Sequence, residues 1–110
     1  MKRYLLLSTI VCMSFTTAFT QNVSINNDGS APNPSAMLDV NSPVKGVLIP
    51  RVALTGTNDI TTVASPAISL LIYNTASTSD LNAVSPGFYY WDGFAWTALS
   101  TGASALKKNN

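Results

Sequence analysis

Past residue 20 the chain carries Asp28, Asp39, Asp59, Asp80 and Asp92, the cations Lys45, Arg51, Lys107 and Lys108, and no histidine, cysteine or glutamate. Hydrolytic and transfer chemistry needs a tuned acid, base or activated nucleophile. Hydroxyl groups are plentiful, but a serine nucleophile needs a base, and neither a histidine nor a paired-lysine motif supplies one. Two aspartates could form a glycosidase pair, yet their spacing does not suggest one. Zinc lacks its usual Cys and His ligands. Calcium lacks a D-x-D-x-D-G loop, and Asn27-Asp28-Gly29-Ser30 and Thr57-Asn58-Asp59 read as turns. The sequence offers no catalytic or metal-ligating residues, and it calls for no cofactor.

What it does offer is aromatic surface. In Pro86-Gly87-Phe88-Tyr89-Tyr90-Trp91-Asp92-Gly93-Phe94-Ala95-Trp96, six of eleven residues are aromatic. They flank an Asp-Gly pair, a strong short-range signal for a β-hairpin. A two-residue loop of Asp92 and Gly93 sets Trp91 against Phe94 and Tyr89 against Trp96, with all four on one face. A three-residue loop with Gly93 as the bulge sets Tyr90 against Phe94 and Phe88 against Trp96. Both registers place Phe94 and Trp96 on one face. Tyr89, Trp91, Phe94 and Trp96 are therefore the candidate contacts to a ligand or a partner subunit. Exposed Tyr and Trp rings could stack on sugars. Rings that each bury about 150–250 Å² could equally form the core of a small domain or its contact with another copy. The second reading is favoured.

The elements that must position these rings begin after a leader. Met1-Lys2-Arg3 precedes an apolar run from Tyr4 through Met13, and Ala18-Phe19-Thr20 places small residues before Gln21. This is the pattern of a helical secretory signal peptide covering residues 1–20, with cleavage between Thr20 and Gln21, or alternatively after Ala18. The run is too short for a membrane span, which needs roughly 20 residues. Ile10 and Val11 do not supply the small residues that precede a lipidated cysteine, so Cys12 is read as part of the apolar stretch.

Removing the leader leaves four Lys and Arg against five Asp, a net charge of −1. So charge-poor a surface argues against nucleic-acid binding, which works through clustered cations. A small exported domain without cysteines cannot supplement its core with disulfides, and self-association is the other common remedy.

The rest reads as all-β, a small strand-rich module with a C-terminal aromatic hairpin. Residues 21–35 are a polar N-terminal segment in which Val23 and Ile25 suffice for one short strand. Residues 36–99 form the β-module. It opens with a strand candidate at 36–40, followed by an apolar run at 46–54. Pro50 confines that run to an edge strand, a strand end or a bulge. A polar turn region at 55–59 follows, leading to a brief helical turn over 60–64 capped by Asn58 or Asp59. Residues 67–73 are apolar on both faces apart from Ser69, as in a strand covered on both sides. A surface loop from Asn74 to Ser85 leads to the hairpin, whose second strand is expected over 94–99. Residues 100–110 read as a flexible tail.

Four segments in order carry a resemblance: Ser35-Ala-Met-Leu-Asp-Val40, Lys45-Gly-Val-Leu-Ile-Pro-Arg-Val52, Ser69-Leu-Leu-Ile-Tyr-Asn-Thr75, and Pro86-Gly-Phe-Tyr-Tyr-Trp-Asp-Gly93 with Trp96. Together they resemble the N-terminal β-rich module of secreted Bacteroidota (flavobacterial-type) surface proteins, which is similar to phage tail-fibre segments. The resemblance spans residues 22–99. It departs at Ser69, where the pattern has glycine, and at Phe94, where it has a small polar residue. In that family the module precedes further repeats or a self-cleaving chaperone domain that assembles trimers, and neither is found within these 110 residues.

The resemblance implies a secreted or cell-surface location and a homo-oligomeric, trimeric state. The expected function is a non-enzymatic structural or adhesion module, tail-fibre-like and self-associating. The alternative is a carbohydrate-binding module that uses the hairpin aromatics on a glycan. Neither reading involves nucleic acid, or a membrane span once the leader is removed.

Overall fold

The computed structural model describes residues 22–100. The leader, its Thr20–Gln21 junction and residues 101–110 lie outside the described residues. The described chain contains short strands, turns and loops, and no helix. It is all-β, as its residue pattern predicts. Its described residues fall into two compact units, divided between Gly46 and Val47.

In the first unit, β1 (Val23–Ile25) and β2 (Leu38–Val40) pair in parallel, with Val23 beside Leu38, Ser24 beside Asp39 and Ile25 beside Val40. Alternation along each strand sends the four aliphatic residues to one face and Ser24 and Asp39 to the other. A parallel pair requires a connection of a dozen or so residues. The connection here holds its own turns through side chains. Asn26 donates to Ser24 Oγ at 2.7 Å and to the Ser30 carbonyl at 2.8 Å, and it accepts from the Gly29 N–H. Asp39 accepts from the Asn33 N–H at 2.7 Å.

The second unit is a four-stranded sheet in the order β3 (Arg51–Val52), β4 (Leu71–Asn74), β5 (Gly87–Trp91), β6 (Trp96–Ala98). β3 runs parallel to β4, while β4, β5 and β6 are antiparallel. Pro50 stands just ahead of β3, and β3 is an edge strand, where a missing ladder donor does least harm. The Pro50 carbonyl still accepts from the Tyr73 N–H at 2.9 Å.

One face of this sheet carries the core: Ile72, Tyr89, Trp91 and Trp96, joined by Leu54 and Val84 from the loops, with Val52 and Val63 packed against them. Asn74 lies on the same face and is fully buried. Its Oδ1 accepts from the N–H groups of Leu54 and Ala76, and its Nδ2 donates to the carbonyls of Ala76 and Ser85. All four contacts go to main-chain groups that would otherwise be stranded away from water. The residues from Asn74 to Ser85, read from sequence as a surface loop, are thus pinned at both ends by this one amide. The Thr78 N–H donating to the Val84 carbonyl at 2.9 Å closes the loop further.

Two expectations are corrected. The apolar run 67–73 is a strand only from Leu71 onward. Before it, the Leu70 N–H donates to the Ala67 carbonyl in a turn, and Ser69 adopts φ +74°. That is left-handed backbone, which costs a residue with a Cβ about 1–2 kcal/mol. It explains why glycine suits this position in the resembling pattern. Within one chain β4 is also covered on one face only, since Leu71 is exposed and Tyr73 half-buried. The Ser69→Gly variant is expected to stabilise the protein by about 1 kcal/mol. Urea denaturation measures this, and an unchanged or lower midpoint contradicts the strain.

Candidate functional site: aromatic and aliphatic faces

The hairpin adopts neither of the two expected registers. Trp91 sits opposite Trp96, and Tyr89 opposite Ala98, so the loop comprises Asp92, Gly93, Phe94 and Ala95. The reason lies in two side chains. Asp92 Oδ1 accepts from the N–H groups of Phe94 and Ala95, each at 2.8 Å, while Oδ2 accepts from the Thr97 hydroxyl at 3.0 Å. This network closes a wider loop, with Gly93 at φ +107°. Trp96, in turn, is held from outside the hairpin. Its indole N–H donates to the Asp59 carbonyl at 2.6 Å, and its main-chain N–H donates to the Thr57 carbonyl at 2.7 Å.

The four candidate contact residues consequently separate. Tyr89, Trp91 and Trp96 lie in the core, and the two indoles meet edge to face at 5.4 Å and 64°. Trp96 is only 1 % exposed, whereas Phe94 stands at the hairpin tip at 91 % exposure. Phe94 and Trp96 therefore do not share a face. A sugar ring stacks on a free, solvent-facing aromatic face, and neither indole presents one. The Tyr89 hydroxyl is occupied as well, accepting from the Ser85 N–H at 3.2 Å.

Besides Phe94 at the tip, aromatic surface stays open on the opposite face of the same sheet. Cross-strand neighbours Leu71 and Tyr90, and Tyr73 and Phe88, lie there with Thr97 and Arg51. Tyr73 and Phe88 meet edge to face at 5.1 Å. Beside them a shallow apolar groove is lined by Val47, Leu48, Ile49, Arg51, Tyr73 and Phe88. The strict alternation of β5 could have revealed this face in the sequence only if the hairpin register were known.

A second open surface belongs to the first unit. Val23, Ile25, Leu38 and Val40 are 54, 56, 60 and 40 % exposed, and they occupy one face of the β1–β2 ribbon. No residue from 22 to 46 is buried.

The carboxylates held most firmly are committed to the chain's own donors. Asp59 is buried, and it accepts from the N–H groups of Thr55, Thr61 and Thr62 at 2.9–3.0 Å. Removal from water opposes its charge, but the hydrogen bonds from Thr62, Thr55 and Thr61 outweigh that and hold the carboxyl well below the usual carboxylate range. Asp92 is also lowered, by the N–H groups of Ala95 and Phe94 and the Thr97 hydroxyl. Among the described residues no group of three or more His, Cys, Asp or Glu side chains converges as a metal site. The arrangement is equipped to bury surface against a partner.

Because the folded Asp59 carboxyl is depressed, its contribution is complete above the unfolded value near pH 4 and is lost as pH falls below it. Asp59→Asn, which cannot accept all three N–H groups without a clash of donors, is expected to cost about 1–3 kcal/mol at pH 7. The gap between variant and wild type should narrow at pH 3 in urea titrations. An equal gap at both pH values contradicts this role for the ionised carboxylate.

No curated protein and no solved structure shows significant similarity to the chain. One family model does match, described as phage tail like trimerisation region, and it covers residues 24–109. The match takes in β2 through β6 in full and all but the first residue of β1. With that span covered, the chain belongs to the phage tail like trimerisation region family.

Proposed function

We propose that this chain is a non-enzymatic, exported structural module, three copies of which assemble into a tail-fibre-like element at the cell surface. One observation carries the reading. Among the described residues a single copy buries six hydrophobic side chains and leaves sixteen large ones exposed, in a chain of a trimerising family. Scattered exposed apolar residues are ordinary on a soluble protein. Ordered rows of them on two sheet faces are a different matter, because contiguous apolar patches mark surfaces that meet a partner.

The chemistry agrees with this role. Burying these rows needs no cofactor or tuned acid. A module whose carboxylates are occupied by its own main chain is suited to holding shape. Few charges oppose close approach of identical copies, since the sequence past the leader is nearly neutral. The basic, apolar and small-residue order of residues 1–20 supports export, and surface display with an adhesive role follows from that together with the tail-fibre likeness.

Expression in a secreting bacterium, followed by sedimentation equilibrium of the recovered protein, tests the proposal. A trimer at micromolar concentration whose N-terminus is Gln21 is expected. A folded monomer contradicts the assembly, and protein retained inside the cell with its leader intact contradicts export.

A further inference from the structure

The geometry points to the apolar face of the β1–β2 ribbon as the surface on which the copies meet, with Val23, Ile25, Leu38 and Val40 of three chains closing a common core about a threefold axis. This inference rests on the trimeric reading above and adds the site of contact.

Three features of the first unit lead to it. The unit buries none of its described residues, although it holds an ordered pair of strands. A two-stranded ribbon is at best marginally stable alone in water, and parallel pairs are found almost only with both faces covered. The described residues of the unit do not supply that cover, and its burial must come from elsewhere. The polar face is already served within the unit: Ser24 and Asp39 hydrogen-bond to Asn26, Ser30 and Asn33 of the connecting loop. What remains is the aliphatic face, whose four side chains carry no donor, acceptor or charge.

The occupant follows from the same chemistry. These four side chains give a hydrogen-bonding or charged partner nothing to read. Polar groups enter only at the Ile25–Val40 end, where Asn26, Asn41 and Lys45 line a depression beside them. The aliphatic row itself is complementary to its own copies. Cyclic symmetry brings the same patch of every copy to the axis. The in-register pairing of Val23 with Leu38 and of Ile25 with Val40 stacks two aliphatic layers along the strands. Each layer would receive two side chains from each copy. The open face of the second unit is less suited to an axis, because it mixes the Tyr73 and Tyr90 hydroxyls and the Arg51 cation among its apolar groups. Desolvating that set without partners is costly.

Two sets of variants in the full chain test the proposal. Leu38→Asp and Ile25→Asp alter side chains that are exposed in one copy, so the second unit should keep its fold, read by the near-ultraviolet circular dichroism of the buried Trp91–Trp96 pair. Both are expected to raise the concentration of half-dissociation at least tenfold, while Phe88→Asp leaves it unchanged. In the second set, Val40→Cys or Ser24→Cys introduces the single thiol of the exported chain, since no cysteine follows residue 20. Oxidation should link copies through position 40 and not through position 24.

Trimers that withstand both aspartate variants overturn the assignment, as does linkage through position 24 but not 40. Dissociation by Phe88→Asp alone moves the contact to the second unit and also overturns it. A monomeric wild type instead removes the trimeric reading itself, so the two failures are distinct.

Discussion

The junction between Trp96 and the turn at Asp59 organises the second unit. The indole N–H of Trp96 donates to the Asp59 carbonyl, 37 residues earlier in the chain, and its main-chain N–H donates to the Thr57 carbonyl. The Asp59 carboxylate meanwhile gathers the N–H groups of Thr55, Thr61 and Thr62 and so fixes the shape of the turn that presents those carbonyls. The crossover between parallel strands β3 and β4 is thereby folded onto the end of the hairpin. Gly56 lets the same crossover lie against the 74–85 loop, since a Cβ there would sit 3.1 Å from the Asn82 carbonyl oxygen, which accepts from the Thr57 N–H. With Trp96 anchored, Trp91 falls opposite it, and the remaining rings of β5 divide between the two faces by simple alternation.

That division determines what the surface can do. Three of the four aromatic residues that first suggest a binding face are drawn inward, where Leu54, Ile72 and Val84 complete a small core around them. The opposite face keeps Tyr73, Phe88 and Tyr90, and the ribbon of the first unit keeps its aliphatic row. A chain of this size and without disulfides divides limited apolar surface between an internal core and association. Here the indoles serve the core, and the aliphatic row of the ribbon stays exposed.

Much of the fold is legible in the sequence because it depends on local chemistry. The all-β character, the short strand at Val23 and Ile25, the polar turn region at 55–59 and the position of the hairpin follow from alternation and from turn and breaker residues. Pro50 narrows its run to an edge strand, a strand end or a bulge, of which the sheet adopts the edge. The helical turn expected over 60–64 forms only as non-helical turns. What escapes a linear reading depends on distant partners. The hairpin register is decided by Asp92 accepting two main-chain N–H groups and by the 57–59 segment holding Trp96. The burial of Asn74 depends on Leu54, Ala76 and Ser85, which come together only in the folded sheet. Ser69 gives a subtler case, because its departure from glycine in the resembling pattern marks a left-handed residue whose conformation only the structure reveals. The open face of the ribbon was within reach from Val23, Ile25, Leu38 and Val40, but their parallel pairing was not.

The central claim is that the second unit carries its own core while the first gains its burial by association. Hydrogen–deuterium exchange measured across a range of protein concentrations tests it most directly. Amides of β4 to β6 should be protected at every concentration, and those of Val23–Ile25 and Leu38–Val40 only where the trimer is populated. Equal protection of β1 and β2 in the dilute monomer would contradict the account.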